Sequence, residues 1–255
     1  MLVPFRMLLR GALRDRISLF WAILFPVIML IGLGIVFSDP SYRRHLLAGM
    51  LALSVLFFCL SGIAFESLAQ RRAGVYKLLR ATPYRTVAFV THLTAARALV
   101  AIACSAAVML VGMLVFGLRL NAESMLLLVL VLVPATLCFT FLGLVVGNLA
   151  QNEGQVAMLN NILTLPMLFA SEAFYSLAAA PSWVKIVNAA LPLGHVLDGV
   201  HAAMDGRTGG VLMPSLLLLG YTAVALALAV LTFRWDPDAP VLGRLGPRAR
   251  AEVAR

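Results

Sequence analysis

From Ile17 to Phe37 the chain runs without a charged side chain, and His45 to Phe65 does the same up to a single acid, Glu66. A helix of about 20 apolar residues is what crosses the hydrocarbon layer of a bilayer. Of 255 residues, 62% are hydrophobic and 12% charged, and mean hydropathy is +0.98. Ordinary soluble domains carry about 25% charged residues. The chain is therefore expected to be an all-α integral membrane protein of one domain, residues 1–255.

Six transmembrane helices are expected, at Ile17–Phe37, His45–Phe65, Val87–Leu118, Ser124–Leu149, Val156–Ala170 and Val211–Phe233. Pro26, Pro134 and Pro166 lie inside spans, where neighbouring helices can satisfy the freed carbonyls. The third span is longer than a crossing needs. Its polar start, Thr91–Arg97, is expected near the headgroups, with Arg97 snorkelling outward.

Residues 1–16 place Arg6, Arg10 and Arg14 four apart on one stripe, with Leu2, Phe5, Leu9 and Leu13 on a neighbouring face. That pattern predicts an N-terminal interfacial amphipathic helix with its basic side toward anionic membrane lipids. A cleaved signal peptide fits less well, because the apolar run after it is too long and lacks an Ala-x-Ala site.

The net charge of +9 concentrates at the N-terminus, in 66–86 and in the tail 234–255. Retention of Lys and Arg in the cytoplasm explains this placement. Six spans then put both termini in the cytoplasm, and a multi-pass location in a bacterial cytoplasmic (inner) membrane is expected. Arg43 and Arg44 oppose this orientation. No nucleic acid partner is expected, since the basic segments lack interleaved aromatics. Residues 171–210 form a long external connection. There Trp183, Ile186, Val187, Ala190 and Leu191 recur at helical spacing, predicting a re-entrant helical segment anchored by Trp183.

Little in the chain suggests catalysis. It has no GxxxxGK[ST] and no HExxH, and Ser61-Gly62 lacks the setting of an intramembrane serine nucleophile. Cys59, Cys104 and Cys138 sit singly in apolar runs and read as small buried hydrophobes. His195, Asp198 and His201 form an HxxDxxH string whose two imidazoles would point about 120° apart on one helix. Capping or hydrogen bonding suits them better than a shared metal. Intramembrane polar groups call for a functional hypothesis; here they are Arg97, Asn148, Asn160, Asn161 and Glu172, with Glu66 at the end of the second span. Asn160 and Asn161 fit either interhelical hydrogen bonds or a substrate pathway. Glu66 is expected to pair with Arg71 or with an N-terminal arginine. Gly143 and Gly147 form a GxxxG that would let two backbones approach.

The stretch "RRAGVYKLLRATPYR" resembles the cytoplasmic segment of type-2 ATP-binding-cassette (ABC) exporter permeases, which read Glu-Arg-x-x-Gly-Thr, a hydrophobic pair, then Thr-Pro. Glu66, Arg72, Gly74, Leu78, Leu79, Thr82 and Pro83 match, while Val75 replaces the threonine. A second stretch is similar through Asn160, Pro166, Ser171, Pro181, Trp183, Pro192 and Asp198. It departs at Glu172, where glycine is usual, and at His201, where arginine is common. The resemblance implies a transport permease without enzymatic activity or bound cofactor, two copies of which form the pathway. ATP and Mg would sit on a separate ABC ATPase subunit. The segment 66–86 would be the coupling helix seated in that ATPase, through Glu66, Arg71, Arg72, Gly74, Lys77, Leu78, Leu79, Thr82 and Pro83.

Aromatics are 9% of the chain and gather at span ends, which favours a hydrophobic drug, lipid or lipid-linked substrate over the polysaccharide branch of the same family. A membrane-embedded lipid-modifying enzyme would need clustered acids or histidines at one headgroup plane. An ion-coupled carrier would need a mid-membrane carboxylate or two related halves. The sequence offers neither.

Overall fold

The computed structural model describes residues 2–37, 39–75, 86–118, 120–175, 177 and 180–233, with side chains from Phe5 onward and, after residue 85, from Thr91 onward. Lys77, Leu78, Leu79, Thr82, Pro83 and the tail 234–255 lie outside the described residues. The described residues form helices and their connections. In chain order these are α1 (Leu2–Arg14), α2 (Arg16–Val36), α3 (Pro40–Arg72), α4 (Thr86–Phe116) and α5 (Ala122–Leu149). They continue as α6 (Glu153–Phe169), α7 (Ser182–Ala190), α8 (Pro192–Met204) and α9 (Thr208–Thr232).

Local chemistry sets the starts. Asp15, Asp39 and Asn152 each accept a hydrogen bond from a backbone N–H of the first turn, at 3.1, 3.2 and 2.9 Å, and so cap α2, α3 and α6. Pro40 and Pro192 occupy first-turn positions, where proline loses no helical hydrogen bond. The end of α3 is equally explicit. Gly74 adopts φ of +71°, and the amides of Ala73 and Gly74 bond back to Ala69 and Arg71 at 2.9 and 3.1 Å. Only glycine takes that left-handed turn without a Cβ penalty.

Five helices are long and apolar enough to cross a membrane: α2, α3, α4 from Thr91, α5 and α9. The fifth expected span corresponds to α6, whose 17 residues rise about 26 Å, short of the about 30 Å hydrocarbon layer. The second expected span extends further than its apolar run. α3 has 33 residues and continues through Glu66 to Arg72, so the first part of the basic segment is the last turns of the same helix, with Ser67, Leu68 and Arg71 buried. The expected external segment is two helices. α8 is buried over most of its length, whereas α7 leaves Trp183 and Ile186 exposed.

α3 is the axis of the bundle. Every residue from Leu46 to Leu56 is buried, and α2, α4, α5 and α8 lie around it. Glycines bring backbones together at this axis. A Cβ on Gly143 would lie 2.5 Å from the Leu60 carbonyl oxygen, and one on Gly147 2.8 Å from that of Ala64. The GxxxG is therefore the seam between α5 and α3 within one chain. The outward faces of α2 and α9 carry Ile17, Phe20, Trp21, Ile28, Met213, Val224 and Leu231 exposed, as lipid-facing surfaces require. All three cysteines are buried thiols.

Arg43 and Arg44, which run against the charge asymmetry, have structural occupations. Arg43 Nε donates to the Gly34 carbonyl at 2.8 Å, and its guanidinium lies 4.9 Å from the Phe116 ring centroid. Arg44 donates to the Met204 carbonyl and pairs with Asp205 at 3.2 Å. Both place a cation at a helix C-terminus, where the dipole favours it.

Replacing Gly143 with alanine forces the α3–α5 seam apart and lowers stability by about 1–3 kcal/mol. Gly220→Ala, which meets no atom within 4 Å, serves as the neutral control. Thermal unfolding of purified protein followed by thiol reactivity of the buried cysteines measures both.

Candidate coupling site at the basic end of the bundle

The C-terminus of α3 meets the C-terminus of α5 and the start of α6. Arg71 turns inward there. It is 4% exposed, and its fork donates to the carbonyls of Asn148, at 2.9 Å, and Ala150. These are C-terminal carbonyls that the α5 helix leaves unpaired, so a buried cation satisfies both the hydrogen bonds and the dipole. Arg72 projects outward, donating to the Gln151 carbonyl at 3.2 Å and approaching Glu153 at 3.6 Å. Asn148, expected among the intramembrane polar groups, donates to the Ala229 carbonyl at 3.1 Å and joins α9 to the same junction. The two arginines that the sequence groups together thus do different jobs. Arg71 knits helix ends, and Arg72 remains on the surface.

One layer further in, Arg97 is 1% exposed and does not snorkel. Its Nη2 contacts Glu66 of α3 directly and lies 3.7 Å from Asp15, the cap of α2. The guanidinium sits 4.9 Å from the Phe58 ring centroid. Glu66 also accepts from Gln70 at 2.8 Å. The partner of Glu66 is therefore Arg97, in place of the Arg71 or N-terminal arginine expected for a helix-end charge. Gly62 makes room for the group, since a Cβ there would lie 2.7 Å from both Arg97 Nη1 and Ser18 Oγ. Both flanking helices carry π-helical stretches beside it, Phe20–Leu24 and Phe57–Ser61. Such insertions often mark functional positions.

α1 covers this end. It turns Phe5, Leu8, Leu9 and Ala12 toward the bundle, with the Phe5 and His92 rings 6.4 Å apart, and keeps Arg6, Arg10 and Arg14 exposed. Leu13, expected on the apolar face, is exposed too. Sequence patterns did not single out Asp15, Gly62 or Phe58 for this site. An acid directly ahead of a spanning run was the signal for Asp15.

The remaining candidates separate. On α6, Asn160 is buried, with its Oδ1 lacking a hydrogen-bond partner within the described residues, while Asn161 is exposed. Ser171 Oγ donates to the Leu168 carbonyl at 3.2 Å, and Glu172 accepts from the Leu177 amide at 2.9 Å. Both serve the turn after α6. The HxxDxxH string fans out. His195 donates to the Ala189 carbonyl at 3.0 Å, Asp198 is exposed, and His201 stacks on His45 with ring centroids 4.9 Å apart. Burial, and then the His45 imidazole, hold the His201 pKa below its ordinary value, against the upward pull of Glu172 and Asp205. A lowered folded pKa means stability that is present near neutrality and lost as pH falls toward it.

Arg71→Met strips two charge-assisted hydrogen bonds from buried carbonyls and lowers stability by about 2–4 kcal/mol, whereas Arg72→Ala changes it by less than about 1 kcal/mol. Thermal unfolding distinguishes the two. Lowering pH from neutral through the imidazole range weakens the α3–α8 contact in the wild type, and His201→Phe removes that dependence, as hydrogen exchange of α8 would record.

No curated protein is similar enough in sequence to match this chain. The family described as ABC-2 type transporter matches residues 5–204, from the inner face of α1 to the end of α8, and so takes in the inward arginines, the Gly74 stop and the buried ion cluster. A match over most of the chain that includes both regions of resemblance places it: the chain belongs to the ABC-2 type transporter family, as a membrane component of an ABC transporter.

Proposed function

We propose that the chain is the permease subunit of an ATP-driven exporter. A separate ABC ATPase docks beneath the C-terminal end of α3, with ATP and Mg held on that subunit. The observation that carries this reading is the continuity of α3. One unbroken helix runs from the buried axis of the bundle to Arg72, then stops at a glycine turn. A push on the segment beyond that turn reaches the core along one continuous helix instead of being lost in a loop. The basic residues Arg72 and Lys77 and the rigid Thr82-Pro83 close suit an acidic cleft.

In this reading α6 also crosses the membrane, giving six crossings, and both termini lie in the cytoplasm of a bacterial inner-membrane protein. Two copies enclose the pathway, with Asn161 on the outward face of α6 and Asn160 on the inward one. Met158, Ile162, Leu165 and Phe169 accompany Asn161 on that exposed face, and this mostly apolar lining fits a hydrophobic drug, lipid or lipid-linked substrate. Exposed Arg6, Arg10 and Arg14 hold α1 at the headgroup layer beside the same junction.

Co-expression with the ABC ATPase of the same operon is expected to yield a stable complex. Lys77→Glu weakens it by about tenfold, one charge reversal at a docking surface being worth about 1–2 kcal/mol. Arg72→Glu also breaks the Glu153 contact, so it is paired with Glu153→Arg, which restores the internal ion pair and leaves docking weakened. Unchanged affinity in Lys77→Glu and in the double variant contradicts docking at this segment.

A further inference from the structure

We propose that Arg97 is a positioning residue for energy coupling. Its guanidinium locks the C-terminal end of α3 to the α1–α2 junction and to α4, so that these elements move as one body when α3 is pushed. The inference deepens the docking reading above and rests on it.

The cluster joins parts of the chain far apart in sequence. Glu66 comes from α3, six residues before its end; Asp15 joins α1 to α2; Arg97 comes from α4. Stability is a poor explanation for such a group. Withdrawing a guanidinium from water costs several kcal/mol, and replacing buried ion pairs by apolar residues is often neutral or stabilising. What an ion cluster supplies is direction. Arginine presents a planar fork; both carboxylates converge on its Nη2 while Nη1 donates to the Phe58 carbonyl at 3.5 Å, so rotation of α3 against α4 breaks charge pairing in a medium that offers no substitute.

The surroundings are shaped to keep the fork in place. Phe58 lies under its face, and Gly62 leaves space that any side chain would fill. Ser18 shares Asp15, through its amide at 3.1 Å and its hydroxyl at 2.5 Å, so the carboxylate that faces Arg97 also holds the first turn of α2. The π-helical stretches of α2 and α3 touch beside the cluster, with Trp21 and Phe57 ring centroids 5.9 Å apart. A wide turn in each helix, placed next to the lock, is where a displaced helix end can be absorbed or passed on. The lock decides which.

The test uses the complex of this chain with its ATPase in nanodiscs, carrying Asn161→Cys on α6 as a reporter. The probe is a water-soluble maleimide, and its labelling rate is compared without nucleotide and after trapping with ATP and vanadate. In the otherwise wild-type background the two rates differ. Arg97→Gln retains ATPase association and ATP hydrolysis within about twofold but shrinks the rate difference by about fivefold or more, the lower end of inter-site coupling. Arg97→Lys, which keeps the charge and loses the fork, recovers part of it. Gly62→Ala reproduces the loss by sterics alone.

A second variant guards against misfolding. Asp15→Asn, Glu66→Gln and Arg97→Met together remove every charge of the cluster, keep thermal stability near wild type, and lose the nucleotide response. An unchanged response in Arg97→Gln or in the neutral triple variant overturns the proposal. So does a fall in hydrolysis that keeps step with the fall in labelling response, which would make Arg97 a merely structural group. If the wild-type chain itself binds no ATPase, the docking reading fails and the coupling role falls with it; that outcome is recognisable because it precedes any substitution.

Discussion

Hydrocarbon cannot solvate a guanidinium or an open peptide group, and the disposition of arginine in this protein obeys that one constraint. Arg71 is bound to the last carbonyls of α5, Arg44 to the last carbonyl of α8, and Arg43 to the Gly34 carbonyl near the end of α2. Arg97, the deepest, has two carboxylates and an aromatic face. Each cation sits where a helix end or an acid already needed it. The apolar surfaces then close around these points, with α3 at the centre because Gly143 and Gly147 of α5 let that helix approach its backbone and its own Gly49 admits the turn after α6.

In the proposed reading the consequence is mechanical. A helix buried along its span acts as a lever, and its C-terminal end carries Glu66 and Arg71, both turned into the bundle, and Arg72 on the surface. Gly74 takes a left-handed turn at the tip, and the helix stops there. Arg71 ties the lever to α5 and, through the Asn148 side chain, to α9. Arg97 ties it to α2 and α4. Together these two arginines connect the lever to four other helices of the bundle.

Much of the architecture was legible because the bilayer imposes a length and a composition on any helix that crosses it. The apolar runs located α2, α3, α4, α5 and α9, and the GxxxG at Gly143 and Gly147 correctly announced a close seam without saying which helix it faced. Pairing was less legible. Arg71 is the nearest base to Glu66 in the sequence, but residues five apart on a helix point about 140° apart, and Glu66 meets Arg97 across the bundle, since tertiary neighbours are invisible to sequence separation. Arg71 and Arg72 are adjacent, and adjacent residues on a helix point about 100° apart; one faces the core and the other the surface. Asn160 and Asn161 divide in the same way. The long external segment read as one re-entrant unit because its apolar spacing continues past Leu191, where an extended residue breaks the helix and Pro192 starts another.

The central claim is that energy enters this protein through the segment at the tip of α3. Placing a photoreactive amino acid at Leu79 and illuminating cells that express the chain with its ATPase tests it most directly. The account predicts a covalent product containing the soluble P-loop ATPase, lost when Pro83 and Thr82 are replaced by a flexible Gly-Ser pair. Products confined to lipid or to a second copy of the chain, with the ATPase present and assembled, would contradict it.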